Sequence, residues 1–410
     1  MGVTRVVRNL TAKLAEHTSL GEQLVLVAVG GGGFRVVDEA LAKMHHVKSG
    51  ASGDKTVHPL IRLFTLVSST RLRTAIVKCL SLAVQVSIWR LYSRLNFAPL
   101  SRGMPMAQIG PGDLVVLGDA SWTYDVMHCA RLARKRGAIV VTLVYDLIPI
   151  SFPQYCAPLY TAVLHRWIKE IVDVSHGIIC ISATTQQEVE RYCHEVAGCE
   201  MPLEHFRLGS DLDLKDVEGT VREQIAGLCA VPGVTKLFLT VGSIEPRKNH
   251  SFIMDAFERI WAVNPEAMLV VVGRPTVEAG STLARLHGHP LLGKRIFVFH
   301  DASDAELDFL YRHAMALVFA SAVEGFGLPL VEARQRGCLV LASDIPAFRE
   351  LADSGVTLFS LDNPEYLARI VLGMDSTSTA AHPAAMPVFG WRASADEFLA
   401  KIFALAERAA

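Results

Sequence analysis

The 410-residue sequence predicts two doubly wound α/β domains, each a parallel sheet covered by helices on both faces. Three observations carry this. Short strand-like apolar runs alternate with amphipathic helical stretches along much of the chain. The runs are continuously apolar, as in parallel sheets buried on both sides. At roughly 100–200 residues per domain, the length also leaves room for two cores. Hydrophobic residues at 51% and charged residues at 20% exclude a disordered or fibrous chain. A net charge of −1 excludes a globally basic nucleic-acid binder.

In the first half, expected strands are Leu24–Val29, Leu114–Leu117, Ala138–Tyr145 and Gly177–Ile181, with Phe206–Leu208 closing the set. Helices are expected at Met127–Arg136, Tyr160–Val174 and Thr184–His194. Between Lys55 and Gly112 stand eight cations and no acid; this basic stretch is expected to be helical and to interrupt the sheet. The least regular link, Gly209–Gly233, is the expected hinge region. In the second half, strands are expected at Leu237–Val241, Met268–Val272, Arg295–Phe299, Ala316–Phe319, Cys338–Ala342 and Thr357–Phe359. A helix after Gly242 carries Phe252, Ile253, Ala256, Phe257 and Ile260 at helical spacing. Ser303 and Glu306 form a capping box, and Pro329 to Gly337 brackets another helix. The domains are placed at 1–210 and 211–388, followed by a closing segment at 389–410. Two such domains facing one another would bring their strand C-termini to one cleft, where open α/β sheets bind ligands.

Two loops carry the chemistry. Gly242-Ser-Ile-Glu-Pro-Arg-Lys-Asn249 runs from a strand end to a helix start, with Asn249 as the expected cap. Arg247 and Lys248, together with helix N–H groups, suit a diphosphate. The plain alternative is a solvated basic turn. Glu324-Gly-Phe-Gly-Leu-Pro-Leu-Val-Glu332 also runs strand, glycine loop, helix. Gly325 and Gly327 let backbone approach a ligand closely. Glu324 lies in the loop, Glu332 about one turn into the helix, and both can flank a hydroxyl-rich ligand. Taken singly, Glu332 reads as a helix-surface carboxylate; the whole nonapeptide does not.

With these motifs the chain resembles family 4 of the retaining glycosyltransferases, which have the GT-B fold. The resemblance covers Leu237–Ser360 nearly throughout, including Val272-Gly-Arg274 and Ser343-Asp-Ile-Pro346. More loosely, Tyr145-Asp-Leu-Ile-Pro149 and Gly177-Ile-Ile-Cys-Ile-Ser182 resemble a branch that builds bacterial cell-surface polysaccharides and includes many mannosyltransferases. Trp391 and the Ala-rich helix after it resemble the family's segment that crosses back to the first domain.

The resemblance implies that Glu332 binds the donor ribose. Glu324 and the backbone of Gly325, Phe326, Gly327 and Leu328 would hold the donor sugar and phosphates, and Gly242, Ser243, Gly273 and Arg274 belong to the same donor site. Arg247, Lys248 and Glu324 would be the catalytic set. The two cations would neutralise the departing nucleoside diphosphate. In a retaining front-face reaction that leaving group can take the acceptor's proton, so no strong protein base is needed. Departures from the family are Ser243 where many relatives have Arg, Tyr145 where many have His, and Ala320 in place of a frequent Pro. Tyr145 and Asp146 are candidates for a sugar or acceptor contact.

Other features read as structural. Gly30–Gly33 does not fit the dinucleotide-binding pattern and is expected to be a flexible turn at the cleft. Asp211-Leu-Asp213 reads as linker, and His45-His46 has no partner at metal spacing. His300, after a strand, is either a base contact or a plain loop residue. The eight cysteines contain no C-x-x-C pair and read as reduced core thiols. No metal or cofactor is called for.

The expected function is transfer of a sugar from a nucleotide-sugar donor to a lipid-linked glycan or polysaccharide acceptor, and the branch resemblance favours mannose from GDP-mannose. The competing classes are a nucleotide-sugar epimerase of similar architecture and an inactive transferase-like scaffold. The expected location is the cytoplasm; residues 55–112 either make peripheral contact with the inner face of the membrane or pack as helices on the first domain with a solvated basic face. Nucleic acid is not an expected partner. Gly2–Leu10 resembles the loop and helix start that follow a first strand, so that strand is expected to be missing: either Met1 is not the natural start or the domain is shortened and rearranged.

Overall fold

A computed structural model describes residues 2–17, 27–30, 33–36, 106–119, 121–122, 124–210, 220–229, 236–374 and 385–409. The chain divides into two compact units. The N-terminal unit comprises Val7–Cys180, Gln186–His205 and Phe398–Ala410; the C-terminal unit comprises Met1–Val6, Ile181–Thr185 and Phe206–Glu397. Most of the basic stretch, His45-His46, Asp211-Leu-Asp213 and much of the expected hinge lie outside the described residues. No described helix is long and apolar enough to cross a membrane.

The chain begins with helix α1 (Gly2–Ala15), whose Val6 and Leu10 are buried. Strands β1 (Val27–Gly30) and β2 (Gly33–Val36) follow. Here the structure corrects the sequence reading. Instead of one parallel strand at Leu24–Val29, β1 and β2 form an antiparallel two-stranded sheet with Val27 opposite Val36 and Gly30 opposite Gly33. Gly30 opposite Gly33 ends this ladder, so the run pairs locally with the strand that follows it in sequence.

The N-terminal unit's main sheet has the order β3-β4-β5-β6, all parallel. Its strands are β3 (Leu114–Leu117), β4 (Ile139–Val144), β5 (Gly177–Cys180) and β6 (Leu203–His205). Helix α2 (Tyr124–Lys135) joins β3 to β4, and α3 (Pro158–Val174) joins β4 to β5. Helix α4 (Ala183–Tyr192) follows β5 and ends in a π-helical turn over Cys193–Ala197. The last strand lies three residues before the expected Phe206–Leu208. Leu203–His205 pair with Ile178–Cys180, while Phe206 and Leu208 are buried beyond the strand's end. Their apolar character therefore reports burial and does not mark the strand's bounds.

The C-terminal unit carries a six-stranded parallel sheet in the order β12-β11-β10-β7-β8-β9. The short helix α5 (Glu223–Cys229) leads into β7 (Leu237–Val241), then α6 (His250–Val263), β8 (Met268–Val272), α7 (Gly280–Gly288) and β9 (Ile296–Phe299). Next come α8 (Asp304–His313), β10 (Ala316–Phe319), α9 (Leu328–Gln335), β11 (Leu339–Ser343), α10 (Pro346–Leu351), β12 (Val356–Phe359) and α11 (Pro364–Gly373). β7, β8 and β10 have the bounds read from the sequence, because uninterrupted apolar runs are what a sheet covered on both faces requires. Phe238 of β7 meets Phe257 of α6 edge-on at 5.6 Å. The final helix is α12 (Trp391–Ala409), with Trp391 buried.

Counted from β7, this strand order reverses between β7 and β10: three strands run out one way and three the other. In such sheets the ligand crevice forms at the strand carboxyl ends beside that switch point. The loops after β7 and β10 are therefore brought side by side by topology, although 76 positions separate Lys248 from Glu324.

The capping box appears at the start of α8: Ser303 Oγ accepts from Glu306 N, and Glu306 Oε2 accepts from Ser303 N. Arg222 also donates to Glu306 through Nε at 2.5 Å and Nη2 at 2.9 Å. The Arg222 hydrogen bond, opposed by burial, holds the Glu306 carboxyl down to about 2. A depressed carboxylate stabilises fully above its ordinary range near 4.5, and that contribution disappears as pH falls toward 2. Glu306→Gln is expected to cost about 1–2 kcal/mol at pH 7, since Arg222 is partly exposed and screened. Denaturant melts from pH 7 to pH 2 should show this difference shrinking through the acid range.

Candidate donor site at the strand carboxyl ends

Each loop of the site leaves a strand of the C-terminal unit. After β7, Gly242 (φ 148°) turns the chain. Ile244 then forms a parallel bridge with Pro275 in the loop after β8. Gly242 N donates to Val272 O, and Ile244 N donates to Arg274 O, both at 2.9 Å. The two loops touch so closely that a Cβ on Gly273 would lie 1.7 Å from Gly242 O. Pro246–Lys248 form a single 3-10 turn. Asn249 does not cap α6 as expected: its side chain makes no cap hydrogen bond, and it takes φ 57°. The backbone needs a left-handed residue to pass from the 3-10 turn into the helix, and Asn tolerates that conformation better than most.

After β10, Ser321 to Gly327 form the second loop, and Gly327 (φ 123°) starts α9. A Cβ there would lie 2.9 Å from Cε1 of Phe348, so glycine is required on both counts. Pro329 occupies the first turn of α9, where its missing N–H costs nothing. Phe326 is buried, which anchors the loop from inside.

These loops bring Arg247, Lys248 and Glu324 together. Arg247 Nη1 donates to Glu324 Oε2 at 2.7 Å, and Lys248 Nζ bonds Glu324 Oε1. Ser321 Oγ donates to the same Oε1 at 2.7 Å. Arg247 Nη2 also reaches Glu245 Oε1 at 2.9 Å, and Ser243 Oγ donates to that oxygen at 3.0 Å. Lys248 lies over the Phe319 ring at 4.9 Å. Burial alone would push the Glu324 carboxyl up; Lys248 and Arg247 more than offset it and hold it down to about 2. Glu324 is therefore ionised at neutral pH. His250, next along the chain, is buried; desolvation and then Lys248 push its imidazole down to about 4, so it stays neutral.

Glu332 sits on α9 with a 2% exposed side chain. Tyr311 donates to its Oε2 at 2.9 Å, and Arg5 Nη1 bonds its Oε1. Arg274 Nε donates to His300 O at 3.3 Å, and His300 Nδ1 lies 2.7 Å from Gly273 O, so both residues join the loops after β8 and β9. Ser182 Oγ (2.6 Å) and Thr185 Oγ1 (3.2 Å) donate to Gly325 O and fix that end of the glycine loop. Tyr145 and Asp146 belong to the N-terminal unit. Tyr145 Oη donates to Gly118 O at 2.5 Å, and Asp146 Oδ1 accepts from Ile148 N at 3.0 Å.

Sequence reasoning missed Arg5, Glu245, Tyr311 and Ser321. For Ser321 a signal existed, a hydroxyl at a strand end three residues before Glu324. For Arg5 none did, because its contact bridges 327 positions. No group of His, Cys, Asp or Glu side chains suited to a metal occurs among the described residues.

Residues 230–374 match the family described as glycosyl transferases group 1. The chain is 32% identical over 278 residues to the serotype-specific mannosyltransferase WbdA of Escherichia coli, covering 65% of this chain and 34% of that protein. It is 35% identical over 127 residues to the O-antigen chain mannosyltransferase RfbU of Salmonella typhimurium, covering 31% and 35%. The chain thus spans about a third of the length of the curated relatives it matches. Among solved structures, Anabaena HepE in complex with UDP and glucose superposes with a TM-score of 0.54 at 19% identity, over 72% of this chain and 77% of that one. The alpha,alpha-trehalose 6-phosphate synthase of Burkholderia multivorans gives 0.54 at 16% identity, over 85% and 80%. These likenesses show the fold, which is GT-B.

Gly273→Ala tests the contact between the two loops. Forcing a methyl against Gly242 O is expected to lower stability by about 1–3 kcal/mol in denaturant melts. Gly288→Ala, where a Cβ meets nothing within 4 Å, should be neutral or slightly stabilising.

Proposed function

We propose that this chain, which belongs to the group 1 glycosyl transferases through residues 230–374, moves a sugar from a nucleoside-diphosphate donor to a glycan acceptor with retention of configuration. One observation carries the reading: Arg247 and Lys248 converge on Glu324 at the strand carboxyl ends beside the sheet's switch point. Glycosyl transfer builds negative charge on the departing diphosphate. Cations already fixed in a part-buried setting stabilise that charge without reorganising. Glu324 keeps both in place, and the backbone from Gly325 to Leu328 leads into a helix start, which favours an anion. Glu332 takes the donor ribose, and Gly242, Ser243, Gly273 and Arg274 complete the donor-side wall. No side chain is needed as a strong base if the leaving phosphate accepts the acceptor's proton.

The mannosyltransferase relatives support mannose as the sugar and a bacterial surface polysaccharide, such as O-antigen, as the product. GDP-mannose is the donor this favours. The acceptor is a lipid-linked or polymeric glycan, and residues 55–112 are proposed to touch the membrane that holds it. Tyr145 and Asp146 are proposed to face the sugar or acceptor.

The test is a panel of nucleotide sugars with a lipid-linked acceptor. Elongation is expected; isomerised donor, or no reaction with any donor, would overturn the reading. In the active combination, Arg247→Ala and Lys248→Gln should each lower kcat about 10²–10³-fold, the usual effect of one lost transition-state partner. Thermal melts should show both variants folded. Near-normal turnover in both would remove these residues from the mechanism.

A further inference from the structure

In the reading above Glu332 meets the donor ribose, yet both its carboxylate oxygens already have partners. Tyr311, fully buried, donates to Oε2, and Arg5 bonds Oε1. Around Tyr311 the packing is fixed: Arg336 lies 5.7 Å from its ring and binds Asp308 Oδ1 at 2.7 Å and Glu332 O at 2.9 Å. Burial and the adjacent Glu332 raise the Tyr311 hydroxyl well above its usual range, so it keeps its proton and acts as a donor. The cation on the carboxylate comes from the first turn of α1, within residues 1–6 of the same compact unit.

A carboxylate at 2% exposure is costly unless a charge faces it. Its two oxygens offer about four acceptor positions, of which the two protein donors use two. The remainder suit two neighbouring hydroxyls, such as those of a ribose. We propose that Arg5 is a positioning residue of the donor site, holding the Glu332 carboxylate oriented so that its open acceptor positions meet the ribose diol. Arg5 acts through Glu332 and does not itself touch the donor. This rests on the ribose role of Glu332.

The experiment compares GDP and UDP with their 2′,3′-dideoxy forms by calorimetry on the full chain, using wild type, Glu332→Ala, Arg5→Gln and Arg5→Lys. Wild type should prefer the ribose form of whichever nucleotide it binds. Arg5→Gln should weaken that form about tenfold, the scale of one lost hydrogen bond to a charged group, and leave the dideoxy form unchanged. Arg5→Lys should regain part of the preference. In turnover assays Arg5→Gln should raise the donor KM and leave kcat near normal. If Glu332→Ala retains the full diol preference, the ribose reading itself fails. If Glu332→Ala loses the preference while Arg5→Gln keeps it, the role of Arg5 alone fails. Equal weakening of ribose and dideoxy forms by Arg5→Gln would also overturn it, because that result marks a phosphate contact or a general structural role. Should Arg5→Gln prove unfolded by circular dichroism, Arg5→Lys decides: a partial loss confined to the ribose form supports the role, and an unchanged preference or a loss shared by both forms refutes it.

Discussion

The buried carboxylate of Glu324 organises the site. Lys248 and Arg247 approach it from the loop after β7, and Ser321 fills a further acceptor position from its own loop. Glu324 and Lys248 would be costly alone at this depth, since an isolated ion inside a protein costs several kcal/mol, and Arg247 joins them from a part-buried position. Together they satisfy one another, and the arrangement exists only because β7 and β10 are neighbours in the sheet. The 3-10 turn at Pro246–Lys248, the left-handed Asn249 and the buried Phe326 serve the same end: they aim loop residues that would otherwise be free in solution.

A second carboxylate is treated the same way one helix further on. Glu332 is set by α9, whose first residue follows Gly327, and is held by Tyr311 from α8 and Arg5 from α1. The acidic motif is thus gripped at both ends. Ser182 and Thr185 hold the Gly325 carbonyl at its start, and Tyr311 and Arg5 hold Glu332 at its finish. In the proposed reaction, preorganisation of this kind supplies charge stabilisation without movement at the moment of transfer.

Much of this was legible in the sequence. β8 and β10 are unbroken apolar runs and β7 is interrupted only by the buried Thr240, the pattern of a parallel sheet covered on both faces. The two loops announced themselves by placing charge and glycine where strands end. What failed was whatever depended on partners. The apolar run near Val27 pairs with Gly33–Val36 in a hairpin, and nothing local distinguishes that from a strand in the main sheet. Phe206 and Leu208 are buried beyond the end of β6, so hydrophobicity alone misplaced that strand. Arg5 reads as one cation on an amphipathic helix; only the folded chain carries it to Glu332. Asn249 looked like a cap because of its chemistry, whereas its backbone conformation is what the loop uses.

The most direct measurement of the central claim is a crystal structure of the full chain with GDP or UDP bound. The account predicts diphosphate oxygens within hydrogen-bonding distance of Lys248 Nζ and the Arg247 guanidinium, near the backbone of Gly325 to Leu328. Nucleotide bound elsewhere, for instance against the Gly30–Gly33 reversal, with Arg247, Lys248 and Glu324 contacting only one another, would contradict it.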